Sequence, residues 1–202
     1  MIDSLTVVFP KPVSGSGSLS TSAASLTGAS VGSVGLTSIT NPSGDRKTWL
    51  INFSGYSGLT GGSLPNDTYT LVVYHSYFSS LSADATFTFF RLYGDYNGDG
   101  TVNGTDLADL GAYFGDSDTS SNWYMDSNND GTIDLTDLAN FGADYGTTVS
   151  YTPTGTFWTG GSSTNAVGSG KQLTSLAPRD LYYSADWQVL EEDALRIALL
   201  PY

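Results

Sequence analysis

Apolar residues recur every second position in the first part of the chain. Leu5, Val7 and Phe9 mark a short strand stopped by Pro10 and Pro12. The turn cluster Pro42-Ser43-Gly44-Asp45 precedes Trp49, Ile51 and Phe53, which alternate with Leu50 and Asn52. After Leu64-Pro65-Asn66-Asp67 comes a strand over Thr68–His75, with Tyr69, Leu71 and Val73 on one face. Phe87, Phe89 and Arg91 alternate with Thr88 and Phe90 in the last strand. Short strands separated by Gly/Pro/Asn/Asp turns predict an antiparallel sandwich over residues 1–91. The weakly patterned stretch Ser14–Ser33 reads as an edge strand with loops.

The period then changes. Leu107, Leu110 and Phe114 stand at i, i+3 and i+7, as do Leu138, Phe141 and Tyr145. Each set predicts one face of a short helix, with Leu107, Leu110, Leu138 and Phe141 forming a small core and Gly115 and Gly146 as stops. Thr105-Asp106 and Thr136-Asp137 are read as the N-terminal caps, with acid at the positive end of the helix dipole. Beyond Thr147 the chain is Ser/Thr/Gly-rich to Gly170 and includes Phe157-Trp158. A helix is expected from Ser184 through Leu200, with Trp187, Leu190, Ala194 and Ile197 on one face. The fold class is thus mostly β plus small α, in three stretches: 1–91, 92–147, and a linker with a terminal helix over 148–202.

Composition narrows the function. The net charge is −13, from 7 basic and 20 acidic residues. Such a chain repels phosphate backbones and anionic headgroups, which argues against nucleic acid and membrane partners. There is no Cys, so disulfides, thiolate metal sites and a Cys nucleophile are excluded. No apolar run reaches the 18 residues of a membrane span. The start has no basic region or long apolar region of a signal peptide, and reads as a piece of a longer protein. The acid is concentrated: residues 92–147 hold 11 Asp and no Lys or Arg.

That acidic segment is a duplication. Asp95-Tyr96-Asn97-Gly98-Asp99-Gly100-Thr101-Val102-Asn103-Gly104-Thr105-Asp106 recurs 31 residues on as Asp126-Ser127-Asn128-Asn129-Asp130-Gly131-Thr132-Ile133-Asp134-Leu135-Thr136-Asp137. Both obey D-x-N-x-D-G-x-x-x-x-x-D, the EF-hand calcium-loop pattern with Asp in place of the closing Glu. Ca²⁺ takes 6–8 oxygens at about 2.3–2.6 Å, so alternate side chains of a tight loop must converge. Asp95, Asn97 and Asp99 supply side-chain oxygens, Thr101 its carbonyl, Asn103 a water-mediated contact, and Asp106 the closing carboxylate. The second set is Asp126, Asn128, Asp130, Thr132, Asp134 and Asp137. With four carboxylates against three, the second loop is expected to attract the cation more strongly. Val102 and Ile133, both at loop position 8, are expected to meet in a short β contact between the loops. Neither Phe89–Tyr93 nor Ser120–Tyr124 reads as an entering helix.

Two loop–helix units without entering helices resemble a type I dockerin domain, carried by GDYNGDGTVNGTDLADLGAYFG (94–115) and MDSNNDGTIDLTDLANFGADYG (125–146). The resemblance implies two Ca²⁺ ions that fold the domain, and a helix face that docks a cohesin-like module on a scaffold or cell surface. Loop positions 10 and 11, often Ser-Thr in cohesin binders, are Gly104-Thr105 and Leu135-Thr136 here. Positions 17 and 18, often Lys-Arg, are Gly111-Ala112 and Gly142-Ala143. The preceding stretch, SLTVVFPKPV through GSLPNDTYTLVVYHS and ATFTFF, resembles a bacterial Ig-like domain of secreted and surface proteins. It departs from that pattern at Pro10-Lys11-Pro12, where an acidic residue is usual. Both resemblances imply a secreted or cell-surface protein, with polysaccharide reached through the parent.

The remaining polar and aromatic residues carry less. His75 is the lone histidine and has no Ser/Asp motif beside it. Trp49 reads as core, and Trp123 and Tyr124 as cover for the second loop–helix unit. With the carboxylates assigned to calcium, no nucleophile or second acid–base pair remains, so no enzyme is expected. Three readings stand: a calcium-folded docking or anchoring module, a calcium-stiffened spacer, or a carbohydrate-binding surface on the sandwich.

Overall fold

The computed structural model describes residues 2–9, 11–13, 17–78, 81–119, 121–149 and 196–198. Among the described residues nine strands form two antiparallel sheets. The strands are β1 (Ser4–Val8), β2 (Ser18–Leu19), β3 (Ala24–Gly28), β4 (Gly32–Val34), β5 (Ser38–Thr40), β6 (Thr48–Asn52), β7 (Asp67–Val73), β8 (Ala85–Arg91) and β9 (Arg196–Ala198). One sheet runs β2-β5-β6-β1-β9 and the other β4-β3-β7-β8. The alternation read from the sequence decides which side chains face inward. Leu5, Val7, Ile39, Trp49 and Ile51 from the first sheet meet Leu26, Val34, Tyr69, Leu71, Val73, Phe87 and Phe89 from the second in one buried cluster. Facing sheets that share a core form a β-sandwich.

Two expectations change here. Ser14–Ser33 is more than an edge with loops: it holds β2 and the start of β4, each at an edge of its sheet, and between them β3, which lies inside its sheet between β4 and β7. Its Ser, Thr and Gly residues hid an inward row, Ala24, Leu26 and Gly28, that is buried. The terminal helix expected through Leu200 does not include Arg196–Ala198, which pair antiparallel with β1 and place Ile197 opposite Val7. Pairing satisfies the main-chain groups along the second edge of β1, and a helix there would leave them open. The rest of that expected helix, with Trp187, Leu190 and Ala194, lies outside the described residues, as does most of Thr147–Gly170.

The turn before β6 is held by one carboxylate. Asp45 accepts from the Lys47 and Thr48 main-chain N–H, from Asn41 Nδ2 and from Thr48 Oγ1, at 2.7–2.9 Å. Burial pushes its pKa up, but these donors outweigh it and hold the carboxyl well below the usual carboxylate range. A depressed folded-state pKa gives stability that is present above the unfolded value and lost as pH falls through the folded one. Sandwich stability is therefore expected to stay level down to about pH 4 and then fall. Asp45→Ala is expected to cost about 1–2 kcal/mol at neutral pH and to flatten that acid slope, read from urea melts between pH 2 and 7.

Candidate metal centre

A second, separate cluster follows the sandwich: Leu92, Tyr93, Tyr96, Val102, Leu110, Met125, Ile133 and Phe141. It packs two helices, α1 (Gly104–Tyr113) and α2 (Leu135–Asp144), against their preceding loops. Of the four helix positions read as core, Leu110 and Phe141 are buried and Leu138 half-buried. Leu107, Phe114 and Tyr145 are 41%, 45% and 55% exposed. So small a unit cannot cover three rows on each helix. No helix enters either loop: β8 ends at Arg91 before the first, and a 3-10 turn over Trp123–Met125 leads into the second. Tyr124 packs on this cluster, with its ring 5.8 Å from Tyr96.

The helix caps are not the residues expected. Asn103 and Asp134 are the N-caps, their side chains accepting from Thr105 and Thr136 N–H. Asp106 and Asp137 stand three residues later and reach back to the cap N–H, completing capping boxes. A side chain must precede the first free N–H groups to accept from them, which places the cap one turn ahead of the closing carboxylate.

Each loop is wound around two buried carboxylates. In the first, Asp95 is 2% and Asp106 0% exposed. Asp95 accepts from Gly98 and Asp99 N–H on Oδ1 (2.8 and 3.0 Å) and from Gly100 N–H on Oδ2 (2.8 Å). Asp106 Oδ1 accepts from Tyr96 and Asn97 N–H (2.8 and 3.1 Å), and its Oδ2 from Asn103 N–H (2.9 Å). Asn97 Oδ1 accepts from Asp99 N–H, and Asp99 Oδ1 from Thr101 N–H. The second loop repeats the scheme. Asp126 accepts from Asp130 and Gly131 N–H, Asp137 from Ser127 and Asp134 N–H, Asn128 from Asp130 N–H and Asp130 from Thr132 N–H. These turns need left-handed backbone at positions 4 and 6: Gly98 and Gly100 in one loop, Asn129 and Gly131 in the other. Glycine adopts it freely and Asn tolerates it.

All twelve residues expected to hold the cation therefore lie in two equivalent loops. They do not form a group of three or more acidic side chains placed around a common point among the described residues. The carboxylates are instead held by main-chain N–H. The donor chemistry nonetheless fits a hard cation, since it is all oxygen. Burial pushes the Asp95 carboxyl up to about 6; the bond from Gly100 opposes this and the charge of Asp106 adds to it. With no Lys or Arg in residues 92–147, nothing in the segment itself offsets the repulsion.

Val102 and Ile133 do not pair with each other. Both are buried, but their main-chain groups are committed elsewhere. Val102 N–H donates to Thr147 O, Gly146 N–H to Val102 O and Val149 N–H to Gly100 O, at 2.8–3.0 Å. In the second copy Ile133 N–H donates to Asp116 O, Gly115 N–H to Ile133 O and Asp118 N–H to Gly131 O, at 2.8–3.0 Å. Each loop is thus stitched to the segment leaving the other copy's helix, in a pseudo-two-fold exchange. The exchange keeps the buried main-chain groups at position 8 bonded.

Outside these loops, His75 Nδ1 lies 2.6 Å from Asp84 Oδ1, an exposed pair with no nucleophile between them. Among the described residues no helix is long and apolar enough to cross a membrane.

No curated protein matches the chain. Among solved structures, one described as a type II cohesin-dockerin domain from Bacteroides cellolosolvens is similar: 36% identical, covering 30% of this chain and 95% of that one, with a TM-score of 0.27. Residues 93–141 match the family model of the dockerin type I domain. Dockerins are non-catalytic, calcium-binding docking modules found in extracellular or cell-surface proteins. The duplicated loop–helix segment that follows the β-sandwich is thus the part of the chain that is similar to type I dockerin domains.

Proposed function

We propose that this chain is a calcium-folded docking unit of a secreted or cell-surface protein: an Ig-like sandwich over 1–91, a dockerin module over 92–147, and a tail over 148–202. The observation that carries it is the pair of buried carboxylates in each loop, Asp95 with Asp106 and Asp126 with Asp137, within a segment of 11 Asp and no base. Asp95, Asn97, Asp99, Thr101, Asn103 and Asp106 would hold one Ca²⁺, and Asp126, Asn128, Asp130, Thr132, Asp134 and Asp137 the other. Bound Ca²⁺ supplies positive charge at the carboxylates and a cross-link that short loops cannot make alone. The residues do the rest: main-chain N–H groups fix each carboxylate, the capping boxes aim Asp106 and Asp137, and the helices follow.

The docking surface we assign is the outer face of the two helices. Leu107, Ala108, Gly111 and Ala112 on α1, and Leu135, Ala139, Gly142 and Ala143 on α2, are exposed and carry no charge. Leu135, at 72% exposed, is the most prominent. An uncharged strip beside strongly acidic loops suits a cohesin-like partner with an apolar centre and a basic rim.

Calorimetry of the full chain, stripped by chelator and titrated with Ca²⁺, tests this together with far-UV circular dichroism. Saturation at two ions with a gain of helix is the expected result. Heat of dilution alone, with an unchanged spectrum, would leave an acidic module that folds without metal and would overturn the reading.

A further inference from the structure

The two loops are supported differently at their second position. In the first loop that residue is Tyr96, 1% exposed, with its ring stacked 5.9 Å from Phe141. The module's own core therefore holds the Tyr96 N–H against Asp106. In the second loop it is Ser127, whose N–H and Oγ both donate to Asp137 Oδ1, at 2.6 and 2.8 Å. Ser127 has no ring in the core; its Oγ accepts from Asn140 Nδ2 of α2 at 2.7 Å, and its main chain also meets the sandwich. A Cβ built on Gly61 would stand 2.5 Å from the Ser127 carbonyl oxygen.

The part of the sandwich that touches Ser127 is stiff. Thr60 and Ser63 exchange main-chain hydrogen bonds of 2.8 and 3.0 Å, and both central glycines, Gly61 and Gly62, have positive φ. This is the tight two-residue turn that favours glycine at both central positions. Ser63 is fixed in turn, its Oγ accepting from Ile2 N–H at 2.9 Å. A second tie lies beside it. Asn66 Nδ2 donates to Asp144 Oδ2 at the end of α2 (2.8 Å), while Asn66 Oδ1 accepts from Arg91 (2.6 Å) and from Tyr93 N–H (2.7 Å).

We propose that the Thr60–Ser63 turn of the sandwich is a positioning element for the second calcium loop, so that the affinity of that loop depends on this turn whereas that of the first loop does not. This rests on the calcium reading above. It qualifies the expectation from carboxylate number, because the loop with more charge takes part of its support from outside the module.

Each loop carries its own reporter. Gly100 N–H donates to Asp95 Oδ2 and Gly131 N–H to Asp126 Oδ2, both at 2.8 Å, so their amide resonances follow the two loops separately. The experiment is a Ca²⁺ titration of the full chain followed by amide NMR, for the parent, Gly61→Ala, Asn66→Ala and the control Gly44→Ala. Gly44 has the same positive φ but nothing within 4 Å of its Cβ position, so it isolates backbone strain. Gly61→Ala is expected to weaken the affinity read at Gly131 about 10-fold and leave Gly100 unchanged. Asn66→Ala, which unties Tyr93 at the entry to the first loop as well as Asp144, is expected to weaken both loops, and Gly44→Ala neither. Equal affinities at Gly131 in the parent and Gly61→Ala would overturn the proposal, as would parallel losses at both glycines in Gly61→Ala. If neither amide of the parent responds to Ca²⁺, the calcium reading itself falls and takes this inference with it.

Discussion

Asp106→Ala is expected to unfold the dockerin module while leaving the sandwich folded. Three main-chain N–H groups, those of Tyr96, Asn97 and Asn103, donate to this one buried carboxylate. Truncation leaves them unpaired at about 1–3 kcal/mol for each one that stays buried, so about 3–9 kcal/mol if all three do. A unit of this size has about 3–9 kcal/mol of stability to lose. Asp137→Ala should act alike through Ser127 and Asp134. Asp106→Asn keeps the shape and one acceptor oxygen; it should fold in excess Ca²⁺ with weakened affinity, which separates scaffold from ligand. Far-UV circular dichroism and calcium titration of the three variants give the answer. An Asp106→Ala chain with parental helix signal would show that the loop is held by something else.

Trp49→Ala is the corresponding lesion in the sandwich. Trp49 is fully buried, its ring lies edge-on to Phe78 at 5.7 Å, and Phe78 stacks on Phe9 at 4.8 Å. Its Nε1–H donates to Arg46 O at 3.3 Å, tying the core to the Asp45 turn. Removing the indole opens a large cavity between the sheets at about 3–5 kcal/mol. In a domain of this size that lowers Tm by about 15–30 °C. Calorimetry in excess Ca²⁺ is the check. A fall of only a few degrees would mean that the sheets collapse around the gap and that the core is less rigid than its rings imply.

Sequence periodicity located most of what matters. The rows Tyr69-Leu71-Val73 and Phe87-Phe89 are buried as the alternation requires, because period two fixes which side of a strand faces in. The repeat in 92–147 aligned both loops and both helices, since a tight loop with fixed acceptor spacing leaves little freedom in its residues. What stayed hidden was pairing between distant segments. Nothing local in Gly146-Thr147-Thr148-Val149 marks it as the partner of Gly100–Val102, and nothing in Arg196–Ala198 announces the edge of β1. The buried row of β3 was masked by its Ser, Thr and Gly neighbours. Helix amphipathicity overcounted the core, since Leu107, Phe114 and Tyr145 follow the period yet find nothing to cover them. Their exposure is itself a signal of an outward-facing surface.

The stitching of Val149 to the first loop also settles how much length the module adds. Gly100 accepts from the Val149 amide and donates to Asp95, so the chain arrives and departs on the two sides of one residue. Stretched out, the roughly 55 residues from Asp95 to Val149 would reach on the order of 190 Å. Folded, they return the chain to where it left the sandwich. Such a unit hangs beside the path of the polypeptide like a pendant. Such a shape suits a handle better than a spacer, because its own two ends, Asp95 and Val149, meet at Gly100.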